Sequence, residues 1–222
     1  MPAAKDTFAA MNRLPLPQEL YLIAHEPSGK PLVHQSSMAL GLAGAALLEL
    51  ALSDRVTIAR GRGIVADGTP VGDAVADGLL PLILRDRFGG DVKSWIKKAA
   101  GDVYDRTRGS LITAGVLTQV TKRRMGVLSQ TRHELADMAW VVRACSGVRS
   151  AVEGREQPDA RCAALCGLVG VLKVDAALYL GRPSSQLVGR LRAIAGENSP
   201  VVQEVVGIVE TLINEAAIAV YR

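Results

Sequence analysis

Apolar residues recur at three- and four-residue spacing through most of the chain, and the intervals between them predict helices joined by short polar turns. Met38 to Leu52 is rich in Ala and Leu, is interrupted only by Gly41 and Gly44, and carries Glu49 as its one charge. It reads as a buried helix whose glycines let a second helix approach closely. Before it, Pro15 and Pro17 predict an extended or turn conformation, then a short apolar segment reaching the Glu26-Pro27-Ser28-Gly29-Lys30 turn. Val56 and Ile58 alternate with polar neighbours, and Gly61-Arg62-Gly63 turns the chain into Ile64-Val65, so a β-hairpin follows the helix. The same grammar recurs downstream. Val103 to Ala114 has helical composition, Gly115 stops it, Val116 to Val120 is a strand, Lys122-Arg123-Arg124 is the tip, and Met125 to Leu128 is the return.

From His133 onward helices are predicted at Glu134 to Glu153, Asp159 to Tyr179, Ser185 to Ala195 (with Ser184-Ser185 as its N-cap) and Pro200 to Tyr221. The last carries a core stripe at Val202, Val205, Val206, Val209, Leu212 and Ile213. No stretch is linker-like enough to divide the chain. The fold class is therefore mainly α, a single compact helical domain with one or two β-hairpins over residues 14–222, behind a flexible N-terminal arm at 1–13.

Composition narrows this further. The chain has 222 residues, 49% hydrophobic and only 4% aromatic, which favours close-packed aliphatic helices over an aromatic-rich β-sandwich. Its apolar runs fall short of the roughly 20 residues of a membrane span, and no basic flank precedes an apolar block at the N-terminus, so neither an integral nor a signal-directed protein is expected. Three cysteines, Cys145, Cys162 and Cys166, suit a reducing, cytoplasmic compartment. Charge is unevenly placed. Residues 93–132 hold nine basic groups and two acids, a net of +7, within a whole of +4, so the rest of the chain is mildly acidic. Such a segment suits a polyanionic partner, an anionic membrane or a nucleic acid, or else is a solvated charge run.

Catalytic chemistry is hard to find. His25, His34 and His133 are scattered, and no metal-binding spacing of Cys or His occurs, so no metal or cofactor is expected. Cys162 and Cys166 share a helical face inside an apolar run and read as small hydrophobes. Gly61-Arg62-Gly63 joins strand to strand, so it lacks the helix N-terminus that a dinucleotide fingerprint needs. Asp73 and Asp77 read as a helix start in solvent. The expectation is that the protein is not an enzyme.

Several blocks together resemble the Golgi phosphoprotein 3 family in order and spacing. They are Leu14-Pro15-Leu16-Pro17-Gln18-Glu19-Leu20, the Gly41 to Leu52 block with its Leu47-Leu48-Glu49-Leu50-Ala51-Leu52 core, Thr69-Pro70-Val71-Gly72-Asp73, Trp95-Ile96 and Gly115-Val116-Leu117-Thr118. The resemblance implies a mostly helical, non-catalytic protein peripheral to membranes, which binds phosphatidylinositol 4-phosphate and recruits client proteins. The family's phosphate-holding positions, a Trp, an Arg on the glycine-bounded helix and two Arg before the hairpin, fall here on His34, Ala43, Gly101 and Tyr104. Arg106 and Arg108, within two turns, are the substitutes, since guanidinium groups suit phosphate oxygens. The headgroup site expected on this basis is His34, Tyr104, Arg106 and Arg108. An Arg to Lys ratio of 19 to 7 also resembles a GC-rich prokaryotic source, hence a bacterial homologue.

The expected function is a cytoplasmic, peripheral membrane-binding adaptor that meets anionic lipid through the basic middle segment, with Lys122, Arg123, Arg124 and Met125 of the hairpin at the surface. Pairing of hairpins in a homo-oligomer is the alternative use of the same strands. A winged-helix-like nucleic-acid binder is the rival from another class. Nucleic acid is the less favoured partner, because Met38 to Leu52 has almost no polar side chain to read a groove and stacking aromatics are missing.

Overall fold

In the computed structural model, which describes residues 13–86, 89–124 and 128–220, the two early prolines begin a helix instead of an extended segment. This helix, α1, spans Leu16–Ile23 with proline in its first turn, where the missing N–H would have had no partner in any case. The amide of Leu16 donates to Glu49 Oε2 at 2.7 Å, which sets a carboxylate from α2 (Gln35–Leu52) against the positive end of α1. Arg161 Nη1 holds the other oxygen of Glu49 at 2.6 Å. The one charge of the predicted buried helix thus joins two elements.

Helix α2 is the centre of the molecule, buried from Met38 to Leu48. Among the described residues it is the one helix long and apolar enough to cross a membrane, and 67% of that span lies inside the protein. After it come the strands β1 (Val56–Ala59) and β2 (Arg62–Val65), the short helices α3 (Ala74–Asp77) and α4 (Leu80–Ile83), strand β3 (Gly90–Asp91) and the helices α5 (Val92–Ala99) and α6 (Val103–Thr113). Arg60 and Gly61 both have positive φ (55° and 73°), the geometry of a tight hairpin turn. The sequence does not announce β3, which pairs Gly90 with Gly63 of β2. A Cβ at either glycine would lie 2.2 to 2.3 Å from the Trp95 indole, so the strand exists where two glycines let this ring against the sheet. Trp95 is 1% exposed, with Nε1 donating to Asp86 at 2.7 Å.

The second hairpin joins β4 (Leu117–Arg124) to β5 (Leu128–Leu135) as an antiparallel pair in a sheet of two strands. Four helices complete the described chain: α7 (Ala139–Glu153), α8 (Ala160–Leu172), α9 (Ser184–Asn198) and α10 (Pro200–Val220). Helices α8 and α10 flank α2. At Gly44 a methyl group would lie 2.4 Å from Val209 of α10, and at Gly41 2.9 Å from Leu172 of α8. Glycine is what lets these three backbones come so close.

Mainly α with small hairpins is thus the observed fold, with several corrections in detail. Lys122, Arg123 and Arg124 are not the hairpin tip: they are the distal end of β4, paired with Gln130, Ser129 and Leu128. The predicted return over Met125 to Leu128 meets β5 at Leu128, and Met125 lies outside the described residues. Strand β5 continues to Leu135, which delays the helix predicted from Glu134 to Ala139, because cross-strand pairing takes the residues in between. The helix expected over Asp159 to Tyr179 ends at Leu172: Lys173 turns left-handed (φ 56°), and a 3₁₀ turn spans Asp175–Leu178. Ser184 is the first residue of α9 and not its cap; Pro183 occupies the cap position with no side-chain hydrogen bond. Asp73 is 6% exposed rather than solvated, because its carboxylate caps α3 by accepting from the amides of Val75 and Ala76.

Candidate functional site

The residues singled out around the basic segment lie on α6 and its neighbours. Along α6, Val103, Tyr104, Thr107 and Leu111 are buried, and two positions on a helix are about 200° apart around its axis. Arg106 and Arg108 therefore leave on different flanks. Arg106 pairs with Asp102, Nη2 to Oδ2 at 2.7 Å, and its guanidinium lies against Gly78, where a methyl group would stand 2.0 Å from Nη1. Arg108 pairs with Asp105 at 2.6 Å and carries its guanidinium 5.7 Å above the ring centroid of Tyr104. Both pairs are at the surface, where such bonds contribute about 0 to 1 kcal/mol and exchange readily for another anion.

Under Arg108 the structure assembles a cluster that the sequence reading passed over. Tyr21, in the last turn of α1, and His25, two residues past its end, stack with ring centroids 3.7 Å apart. His25 Nδ1 lies 2.7 Å from the Tyr21 carbonyl and Nε2 lies 2.9 Å from Tyr104 Oη. A carbonyl only accepts, so Nδ1 carries the proton and Nε2 accepts from the tyrosine hydroxyl. Burial, reinforced by the nearby Arg108 charge and opposed by the backbone hydrogen bond, pushes His25 down to about 4. Burial also raises Tyr21. At neutral pH the His25 ring is uncharged, and it holds the Tyr104 hydroxyl while Arg108 lies over the Tyr104 ring. The four-residue spacing of Tyr21 and His25, one helical turn, is the signal in the sequence for this stack.

His34 is elsewhere in this arrangement. It is the exposed N-cap of α2, with Nδ1 2.8 Å from the Ser36 hydroxyl and accepting from the Ser36 amide at 3.4 Å. Among the described residues no hydrogen bond, ion pair or ring contact joins it to Tyr104, Arg106 or Arg108. Ala43 is wholly buried in α2 and Gly101 has no side chain, so neither replaces a phosphate ligand. Of the four predicted headgroup residues, only Tyr104 and Arg108 are brought into contact.

The hairpin is anchored at one end. Val116 and Leu117 are buried, the Ala136 amide donates to the Val116 carbonyl at 2.9 Å, and the Leu135 amide donates to the Pro27 carbonyl at 3.2 Å. Gly29, with φ 79°, lets the 26–30 turn press on His133: a methyl there would lie 2.0 Å from the His133 carbonyl oxygen. From this base eight paired residues per strand run about 25 Å, and the Lys122-Arg123-Arg124 run occupies the far end of β4. No cluster of three or more potential metal ligands occurs among the described residues. All three cysteines are free and buried. Burial raises Cys145 to about 11, so its thiol is unreactive at neutral pH.

A comparison with curated proteins finds no match. The family model described as Golgi phosphoprotein 3 (GPP34) matches residues 16–212, from the first turn of α1 to the middle of α10, and on that match the chain belongs to the Golgi phosphoprotein 3 family.

Proposed function

We propose that this protein is a non-enzymatic adaptor on the cytoplasmic side of a membrane, attached peripherally to anionic lipid through residues 93–132. The observation that carries the reading is the β4–β5 hairpin, held at its base through Val116, Leu117, Leu135 and Ala136, with three successive basic residues at the far end of β4. Each Lys or Arg near an anionic surface contributes about 1 kcal/mol, so roughly half of the basic residues in a segment of net +7 are enough for reversible attachment. Arg106 and Arg108 add exposed ion pairs that can trade carboxylate for phosphate. Because these two diverge and Ala43 and Gly101 offer no ligand, the reading favours lipid charge over a stereospecific phosphatidylinositol 4-phosphate pocket. A client protein is the second partner that the family membership suggests.

The helix ahead of the first hairpin speaks against a nucleic-acid reading. Helix α2 is buried on nearly every face and has no side to offer a groove. Vesicle flotation with neutral, phosphatidylserine-containing and phosphatidylinositol 4-phosphate-containing membranes, with duplex DNA as competitor, tests the proposal. Binding to both anionic vesicles in proportion to their charge, and not to neutral ones, is expected. Equal flotation with neutral vesicles, or release by duplex DNA at equal charge, overturns it.

A further inference from the structure

Away from the basic segment, a cleft of about 550 Å³ opens between the start of α1, helix α7 and the loop leading into α8. Its volume is in the range of small-molecule sites, about 300 to 1,000 Å³. Trp140 forms part of one wall, with the Arg143 guanidinium 5.4 Å from its ring centroid, and Val148 and Leu165 make an apolar floor. Three carboxylates, Glu19, Glu156 and Asp159, line the rest.

Glu19 is the unusual member. Its side chain is 8% exposed, and among the described residues its Oε2 accepts no hydrogen bond. Arg161 Nε is 3.9 Å from that oxygen and also donates to nothing described; Arg161 spends its other nitrogens on Glu49 and the Leu14 carbonyl. The remaining neighbour is Arg13, which reaches between two acids and grips neither closely: Nε is 3.5 Å from Glu19 Oε1 and Nη1 is 3.4 Å from Asp159 Oδ2. A charge-assisted hydrogen bond normally closes to about 2.7 to 2.9 Å. Among the described residues this buried carboxylate has no short donor, and burial pushes its carboxyl upward against the pull of Arg13 and Arg161.

We propose that this cleft binds a small organic cation, an ammonium or amidinium on a ring-sized apolar body, whose charged end takes the place of the Arg13 guanidinium between Glu19 and Asp159 while its body rests on Trp140 and the floor. The sign of the ligand follows from the lining: with Arg13 displaced, the three acids of the cleft outnumber Arg143 within it and Arg161 behind Glu19, and the Trp140 ring, which already holds Arg143 near it, is a surface suited to cations. A planar amidinium presents two parallel N–H groups to a carboxylate, the bidentate geometry that Arg13 does not achieve here. The site is independent of the membrane reading, since none of its residues belongs to segment 93–132.

Benzamidine is the probe, with benzamide and benzoate as neutral and anionic counterparts of the same shape, titrated by calorimetry and by tryptophan fluorescence. Trp95 is buried, so the fluorescence change is expected to disappear in Trp140→Phe. Saturable binding of benzamidine is expected at millimolar concentration or below, with benzoate not binding. Glu19→Gln should weaken benzamidine at least about tenfold, the equivalent of one charge-assisted hydrogen bond. Arg13→Ala should tighten it severalfold by removing the competitor. Because Arg13 is partly exposed, that variant decides the matter even if Glu19→Gln does not fold. Weaker binding in Arg13→Ala, benzoate binding as tightly as benzamidine, or no saturable binding overturns the proposal.

Discussion

At the scale of single residues, His25 is where burial has its clearest chemical consequence. Its folded pKa of about 4 lies below the ordinary histidine value of 6.5, so the unfolded chain binds the proton more readily than the folded one. The neutral ring's contribution is fully present above about pH 6.5 and is lost as pH falls toward 4. A shift of this size corresponds to about 3 kcal/mol at most. Urea denaturation at pH 7.0 and pH 4.5 should show a loss of stability that is smaller in His25→Gln, which keeps a hydrogen-bonding side chain but does not titrate. An equal loss in both proteins would mean that protonation of His25 is not linked to unfolding. Tyr21, Tyr104 and Arg108 are the groups that face this ring.

At the scale of elements, two glycines in helices should respond oppositely to the same change. In an open helical position Gly→Ala gains up to about 1 kcal/mol, and at Gly207 of α10 an added methyl would meet nothing within 4 Å. At Gly44 the same methyl would lie 2.4 Å from Val209, and overpacking of that kind costs about 1 to 3 kcal/mol. Chemical denaturation should find Gly207→Ala stabilised and Gly44→Ala destabilised; a stabilised Gly44→Ala would refute the close approach of α2 and α10. The β4–β5 hairpin raises a different question, because among the described residues no third strand joins this sheet, and strand edges are templates for pairing with a second copy. Reversing Lys122, Arg123 and Arg124 to Glu should release the protein from anionic vesicles while its solution mass by light scattering stays the same. If the reversal dissolves an oligomer and leaves flotation intact, the hairpin is an assembly element and not a membrane contact.

At the scale of the whole molecule, the proposed attachment rests on the uneven placement of charge. Segment 93–132 carries +7 within a net of +4, and although Lys93 and Lys97 are paired with Glu215, the proposal has an anionic surface attract this segment more than the mildly acidic remainder. Attraction of this kind is screened beyond about 8 Å at physiological salt and about 3 Å at 1 M. Vesicle association should therefore fall steeply between low salt and 0.5 M salt, as followed by co-sedimentation. Binding that survives high salt would point to apolar insertion as the main attachment.

The sequence by itself determined the helical class, the buried character of α2, the two hairpins and the family, because these follow from side-chain periodicity, glycine and proline placement and local motifs, all of which act over a few residues. It misplaced what depends on partners distant in the chain. Proline in the first turn of α1 is stable where Glu49, 33 residues on, takes the Leu16 amide. Strand β3 forms because Gly63 and Gly90 admit Trp95, and β5 runs on to Leu135 because β4 supplies its hydrogen bonds. The sites show the same division. That Arg106 and Arg108 diverge is helix geometry, legible from their spacing, whereas the His25 platform and the loosely held Glu19 carboxylate exist only where α1 meets α6, α7 and α8. Burial and charge pairing are properties of space, and the chain's order does not contain them until it has folded.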